Sequence, residues 1–348
     1  MRVAVDGPHH DAVSLASLST SSPDLLSADD AGIAPADGEA GIVARSPLQL
    51  FWRRLRRDKV AMVALGFIVL LTAVALVPGP IVDVAGAPEP TARDTGSLDD
   101  FGLPDPETGS AFSSNHIFGV DQLGRDVFSR TVHGARVSMA VALGATLIAV
   151  IIGVVVGMIA GYYRGWVDSL LSRIMDIQLA FPVLILAIGL AAACAIGRGC
   201  FGGLLRPGLM TVIFVIALAS WPYMARVIRG QVLSLREKEF IEASKSLGAS
   251  DTRIIFREIL PNLVAPIIVY STILIPTNIL FEAALSFLGV GVQPPTPSWG
   301  AMIAEATGIF DIAWWFMLFP GLALLLTVLA FNLVGDGLQD ALNPKSER

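Results

Sequence analysis

Glu282 and Asp176 are carboxylates within runs apolar enough to cross a bilayer, and Cys194 and Cys200 are the chain's two cysteines. Ionisable groups in such runs are costly and face a protein interior or water. Counting helical rise from Pro261 puts Glu282 near the outer boundary. There it either lines an external gate or is a solvated interfacial acid. Asp176 lies near the inner end of its run and pairs with Arg173 or with a partner. The cysteines fall in CAIGRGC, where Gly197 and Gly199 let the chain turn back far enough for a bridge. On an external, oxidising side such a bridge persists; otherwise the two are separate small apolar residues. Covalent and metal chemistry find no set of groups. The sequence has no G-x-x-x-x-G-K-[ST] phosphate loop and no G-x-S-x-G elbow, and none of His9, His10, His116 and His133 stands at ligand spacing from another.

The elements that carry these groups follow from composition. The 348 residues are 54% hydrophobic and 16% charged, with mean hydropathy +0.67. The apolar residues gather in runs of about 20, the length a helix needs to cross about 30 Å of hydrocarbon. Backbone amides inside lipid must be bonded internally, so these runs are helices. Six are expected: Val60–Val77, Val137–Ala160, Ile177–Ile196, Leu209–Ala225, Leu263–Leu285 and Ala313–Val334. Arg53, Arg54, Arg56, Arg57 and Lys59 precede the first, and Arg226–Arg257 is basic, whereas the loop 286–312 has no Lys or Arg. This bias places both termini in the cytoplasm. Residues 1–46 hold seven acids and two bases in an Ala-, Ser- and Gly-rich context. They read as a disordered tail, either a solvated extension or a docking segment. A first span with a long external loop fills 47–136, the transmembrane core 137–334, and a second cytoplasmic tail 335–348.

Between the fourth and fifth spans lies KEFIEASKSLGASDTRIIFREILPN, polar in a greasy chain. Phe240, Ala243 and Leu247 fall on one helical face. Gly248 is a plausible left-handed cap, Asp251 can cap a second helix over Thr252–Leu260, and Pro261 ends that helix or bends it into the fifth span. The segment 235–261 is either a bent lever that passes force from a soluble partner or an ordinary interfacial amphipathic helix.

This stretch resembles the EAA motif of ABC importer permeases, E-A-A-x3-G-x9-I-x-L-P, through Glu242, Ala243, Ser244, Gly248, Leu260 and Pro261. Ser244 replaces the second Ala, and Glu258 stands where the motif has Ile. FGVDQLGRDVFSRTVHGARVSM, GYYRGWVDSLLSRIMDIQLAFP, LSFLGVGVQPPTPSWG and FNLVGDGLQDALNP extend the likeness to the C-type permease of dipeptide and oligopeptide importers, over nearly all of Trp52–Pro344. The resemblance implies an all-α, six-span permease of the type I importer fold in a bacterial inner membrane, with the EAA segment as a cytoplasmic coupling helix. It implies a homologous second permease, two ATP-binding subunits that hold ATP and Mg, an extracytoplasmic peptide-binding protein and a peptide substrate. No catalysis, cofactor or nucleic acid falls to this chain; membrane lipid surrounds it.

The matching blocks also have physical readings. Asp126 and Arg130 stand at i, i+4, with Leu123 and Val127 on one face, as in a helix lying on the outer surface before span two. Gly153, Gly157 and Gly161 form a small-residue seam that packs within the subunit or against a partner permease. Pro182, Pro222, Pro266 and Pro276 interrupt spans three to five, as kinks or as a moving wall of the translocation path; with Glu282, Pro182 and Pro276 are taken as that path. The other reading is a self-contained ion-coupled secondary transporter with Glu282 and Asp176 as coupling acids, against which the sequence shows no inverted repeat and no pair of mid-membrane acids.

Overall fold

The computed structural model describes residues 47–195 and 208–342. The expectations for the N-terminal tail, Cys200, the rest of loop 196–207 and the end of the C-terminal tail lie outside these residues. The order is α1 (Pro47–Leu55), α2 (Lys59–Leu76), α3 (Pro78–Val84), α4 (Val127–Tyr163), α5 (Gly165–Ala180), α6 (Val183–Ala195), α7 (Leu209–Leu235), α8 (Glu239–Ser246), α9 (Asp251–Arg253), α10 (Leu260–Phe287), α11 (Trp299–Ala306) and α12 (Trp314–Leu342). Among the described residues, five helices are long and apolar enough to span a bilayer, and the pair α5–α6, bent by 89°, makes a sixth if counted as one span.

Of the interruptions expected at prolines, the one in the third span is present: the span breaks at Phe181–Pro182, where Phe181 is extended and proline cannot continue the ladder. Pro222, Pro266 and Pro276 break nothing and lie inside continuous helices. The segment before span two is not a separate helix: from Val127 on it is the start of α4, whose N-cap is Asp126, accepting a bond from Ser129 N.

The core is built on α4 and α7. A Cβ on Gly153 would sit 2.6 Å from Met224 Cβ, on Gly157 2.5 Å from the Ala225 carbonyl, and on Gly161 2.7 Å from Val232 Cβ. The seam therefore packs α4 on α7 within the subunit, at backbone-to-backbone range. Small residues permit that approach, and dispersion rewards it where lipid offers no hydrophobic drive. α10 and α12 pack on this pair, and α2 closes against α12 and α4.

An outer layer caps one end. Residues 94–126 fold by Asx turns rather than strands: Asp99 Oδ1 accepts from Phe101 N and Leu103 N, and Asp105 Oδ1 from Glu107 N and Thr108 N. The expected Asp126–Arg130 pair does not form. Because Asp126 is outside the helix, its carboxylate turns to the cap and to His116 Nδ1 (2.8 Å), leaving Arg130 to a buried cluster with Asp121, Arg125 and Glu305. Arg125 Nε lies 2.7 Å from Asp121 Oδ2, and its Nη2 2.7 Å from Glu305 Oε2. Trp315 Nε1 donates to the Val120 carbonyl and Trp299 Nε1 to that of Thr131, tying α11 and α12 into the same layer.

Candidate coupling and translocation surfaces

The polar segment folds as a helix, a corner and a second helix. Glu239 and Glu242 stand in the first turn of α8 and Lys245 in the last, each where the helix dipole favours it. Ile241 is wholly buried against Ile254, Ile255 and Ile259. The opposite face is open: Phe240 is 40% and Leu247 88% exposed, and Glu242 and Ala243 are exposed beside them. Gly248 takes φ +76, the left-handed conformation that glycine reaches without penalty.

The second helix departs from expectation at its cap: Ser250, not Asp251, is the N-cap, and Asp251 accepts the Tyr162 hydroxyl proton at 2.7 Å. Of the two readings of Pro261, that it ends this helix or leads it into the fifth span, the structure has the second. The chain widens to π geometry over Ile254–Ile259, with Leu260 N bonding Ile255 O, and runs on into α10 with Pro261 in its first turn. A wide turn before the proline gives its ring room where an α turn would crowd it.

Tyr162 was not singled out from the sequence, yet it anchors this corner. Besides Asp251, Arg236 Nη1 bonds its carbonyl, and Arg236 and Lys245 both sit 5.8 Å from its ring. The signal was the phenol directly after the glycine seam. Glu242, Ala243, Ser244 and Gly248 thus share one exposed corner, while Leu260 and Pro261 lie at the foot of α10.

The residues assigned to a gate do not share a wall. Glu282 is fully buried, neither at a gate nor solvated, and accepts from Ser138 Oγ (2.8 Å) and Ser286 Oγ (2.7 Å). One turn earlier, Asn278 accepts from Ser220 Oγ and donates to Thr146 Oγ1, each at 2.8 Å. These buried contacts tie α10 to α4 and α7. A count along the helix gave Glu282 its depth but not its face. Pro276 is buried as well, while Pro182 is exposed at the α5–α6 break. Cys194 is buried in α6; the bridge to Cys200 expected from the sequence falls on a residue outside those described. Asp176 pairs not with Arg173 but with Arg226 of α7 at 2.7 Å, and Asp168 pairs with Arg229, whose Nη2 lies 2.8 Å from its Oδ2.

With five or six apolar spans and a polar corner between two of them, the chain is built as a membrane permease. Residues 153–348 match the model of the binding-protein-dependent transport system inner membrane component, and residues 46–91 match that of the N-terminal TM domain of oligopeptide transport permease C. The chain belongs to this family of ABC importer permeases. It is 46% identical over 301 residues to the glutathione transport system permease protein GsiD of Salmonella typhimurium (strain LT2), covering 86% of this chain and 91% of that protein. The protein of that name from Escherichia coli O6:H1 is 45% identical over the same length. Among solved structures, the inward-facing MetNI methionine ABC transporter matches with TM-score 0.51 at 21% identity, over 62% of this chain and 96% of that one. This match carries the type I importer fold. Nothing in these comparisons supports an ion-coupled secondary transporter.

Proposed function

We propose that this permease carries peptides, with glutathione-like γ-peptides among them, as one of two homologous permease subunits in an ATP-driven importer. ATP and Mg sit on two cytoplasmic subunits, and an extracytoplasmic protein delivers the peptide. Both termini and α8 face the cytoplasm. The observation that carries this reading is the α8–Gly248 corner. Its apolar face of Phe240, Ala243 and Leu247 is unpartnered, while its inner face is locked through Ile241 and Tyr162 onto α4 and α7. A groove on an ATPase subunit would cover the first face; motion there passes to the spans through the second. The relatives named for glutathione transport support the substrate class.

The test is co-purification with the ATPase subunits and delivery of labelled peptide in proteoliposomes. Leu247→Glu should release the ATPase while the permease stays in the membrane. ATPase retained by Leu247→Glu, or uptake sustained by an ion gradient with no ATPase present, overturns the reading.

A further inference from the structure

Between α7 and α10 lies a cavity of about 480 Å³, lined among others by Ser220, Tyr223, Arg226, Tyr270, Thr277 and Phe281. Its volume is in the range of small-ligand sites. Arg226 is the one charged residue among the described lining residues, and hydroxyls and aromatic faces surround it. A guanidinium among such groups is the chemistry that recognises a carboxylate on a partly apolar molecule. Arg226 stands 17 residues into α7, about 26 Å from the Leu209 end. This places it just beyond the expected span Leu209–Ala225, where its charge carries no mid-membrane cost.

Its present partner holds it weakly. Arg226 Nη2 meets Asp176 Oδ1 at 2.7 Å, but the two side chains are 56% and 55% exposed. Such a pair contributes little, and the recorded bond uses one of five guanidinium N–H donors. An incoming carboxylate can join or replace Asp176 at little net cost. The surroundings are prepared for it. Pro222, four residues before Arg226, leaves the Leu218 carbonyl without its helical N–H, and Gln178 Nε2, two residues beyond Asp176, bonds that carbonyl instead. The α5 arm is thereby held beside the cavity independently of the Arg226–Asp176 pair, so the guanidinium can change partners without the arm leaving.

We propose that Arg226 is a carboxylate-binding station for peptides in transit, holding the substrate's C-terminal carboxylate in exchange for Asp176, with Tyr223 and Tyr270 flanking the peptide. This rests on the peptide-import reading. The test uses the full transporter with all its subunits in proteoliposomes and one labelled peptide prepared as free acid and as C-terminal amide. For each form, variant uptake is divided by wild-type uptake, so any preference of the binding protein cancels. Arg226→Gln should lower free-acid uptake about tenfold or more, the range a lost charge-assisted bond gives, and change amide uptake less than twofold. Arg226→Lys should keep most free-acid uptake. A photoreactive amino acid in place of Tyr223 should cross-link the free-acid peptide when Arg226 is present and lose that cross-link in the Arg226→Gln background. This second readout decides the matter if the amide is not delivered or the uptake variant assembles poorly. Equal loss for both forms, unchanged free-acid uptake, or a cross-link that persists without Arg226 overturns the station while leaving peptide import intact. A wild-type transporter that imports no peptide overturns the peptide reading itself.

Discussion

Gly248 gives the sharpest test of the coupling corner. Its φ is +76, and a Cβ built on it meets nothing within 4 Å. Any effect of a side chain there is therefore backbone strain, not collision. An L-residue in this conformation loses roughly 1–2 kcal/mol, and a β-branched residue loses more. At about 1.4 kcal/mol per factor of ten, alanine should disfavour the corner about 5- to 30-fold and valine further, with asparagine nearer to glycine because it tolerates this region. The corner lies outside the spans, so membrane insertion should not change. We predict that peptide-stimulated ATP hydrolysis by the assembled transporter falls in the order Gly, Asn, Ala, Val, at equal amounts of membrane-inserted permease. Gly230→Ala serves as control, since Gly230 lies inside α7 with the same open space. If Gly248→Val keeps full stimulation, or if all four residues give the same value, the left-handed corner has no part in coupling.

Three further outcomes follow from particular contacts. Gly157→Ala should destabilise by about 1–3 kcal/mol, because its methyl meets the Ala225 carbonyl at 2.5 Å; the open Gly66→Ala should match wild type, and equal thermal stability of the two in detergent refutes the seam. Glu282→Leu should destabilise by about 1–3 kcal/mol by leaving the Ser138 and Ser286 hydroxyls without their acceptor, whereas Glu282→Gln should not; indistinguishable unfolding of the two would show the knot to be dispensable. The outer cap should loosen as pH rises. Asp126 chiefly, and Asp94, hold the His116 pKa above its ordinary value against the opposing effect of burial. A raised folded pKa gives stability fully present below the unfolded value of about 6.5 and lost as pH rises through the folded one. Hydrogen exchange over residues 94–126 should quicken across that window, and His116→Gln should abolish the dependence; an unaltered pH profile in the variant ends the idea.

What the sequence disclosed, and what it hid, divides along one physical line. Apolar length is a one-dimensional property, so each of the runs expected for spans one, two, four, five and six falls on one long helix, α2, α4, α7, α10 and α12, although most of these helices extend past their runs. Direction is not. Pro182 announced an interruption of the third span, but a proline in a sequence does not state a turn of 89°. Asp126 and Arg130 have the spacing of a helical pair, but the helix starts after Asp126, so the carboxylate serves the cap. Tyr162 was passed over because an aromatic at a membrane boundary is ordinary; only folding shows the phenol reaching across to Asp251. Ser286 stands at i, i+4 from Glu282 and could have been read locally, but the Ser138 contact joins α4 to α10 across 144 residues and leaves no local pattern.

These contacts also decide which parts can move together. α4 is 37 residues, about 55 Å of helix. Asp126 fixes its first residue in the outer cap, three glycines lock it onto α7, and Tyr162 holds the coupling corner at its far end. A displacement of α8 cannot be absorbed along this line, because close backbone packing leaves no slack and packed interfaces switch between arrangements rather than deform. We expect it to carry α4 and α7 together with the cap on residue 127. The α5 arm differs: Asp176 meets Arg226 through a pair more than half exposed, and the span breaks just beyond it at Pro182. The weak contacts and the break lie together, beside the cavity that contains Arg226. The arm itself stays on α7 through Asp168–Arg229 and through Gln178 on the Leu218 carbonyl, so what is free to exchange beside the cavity is the Arg226–Asp176 pair.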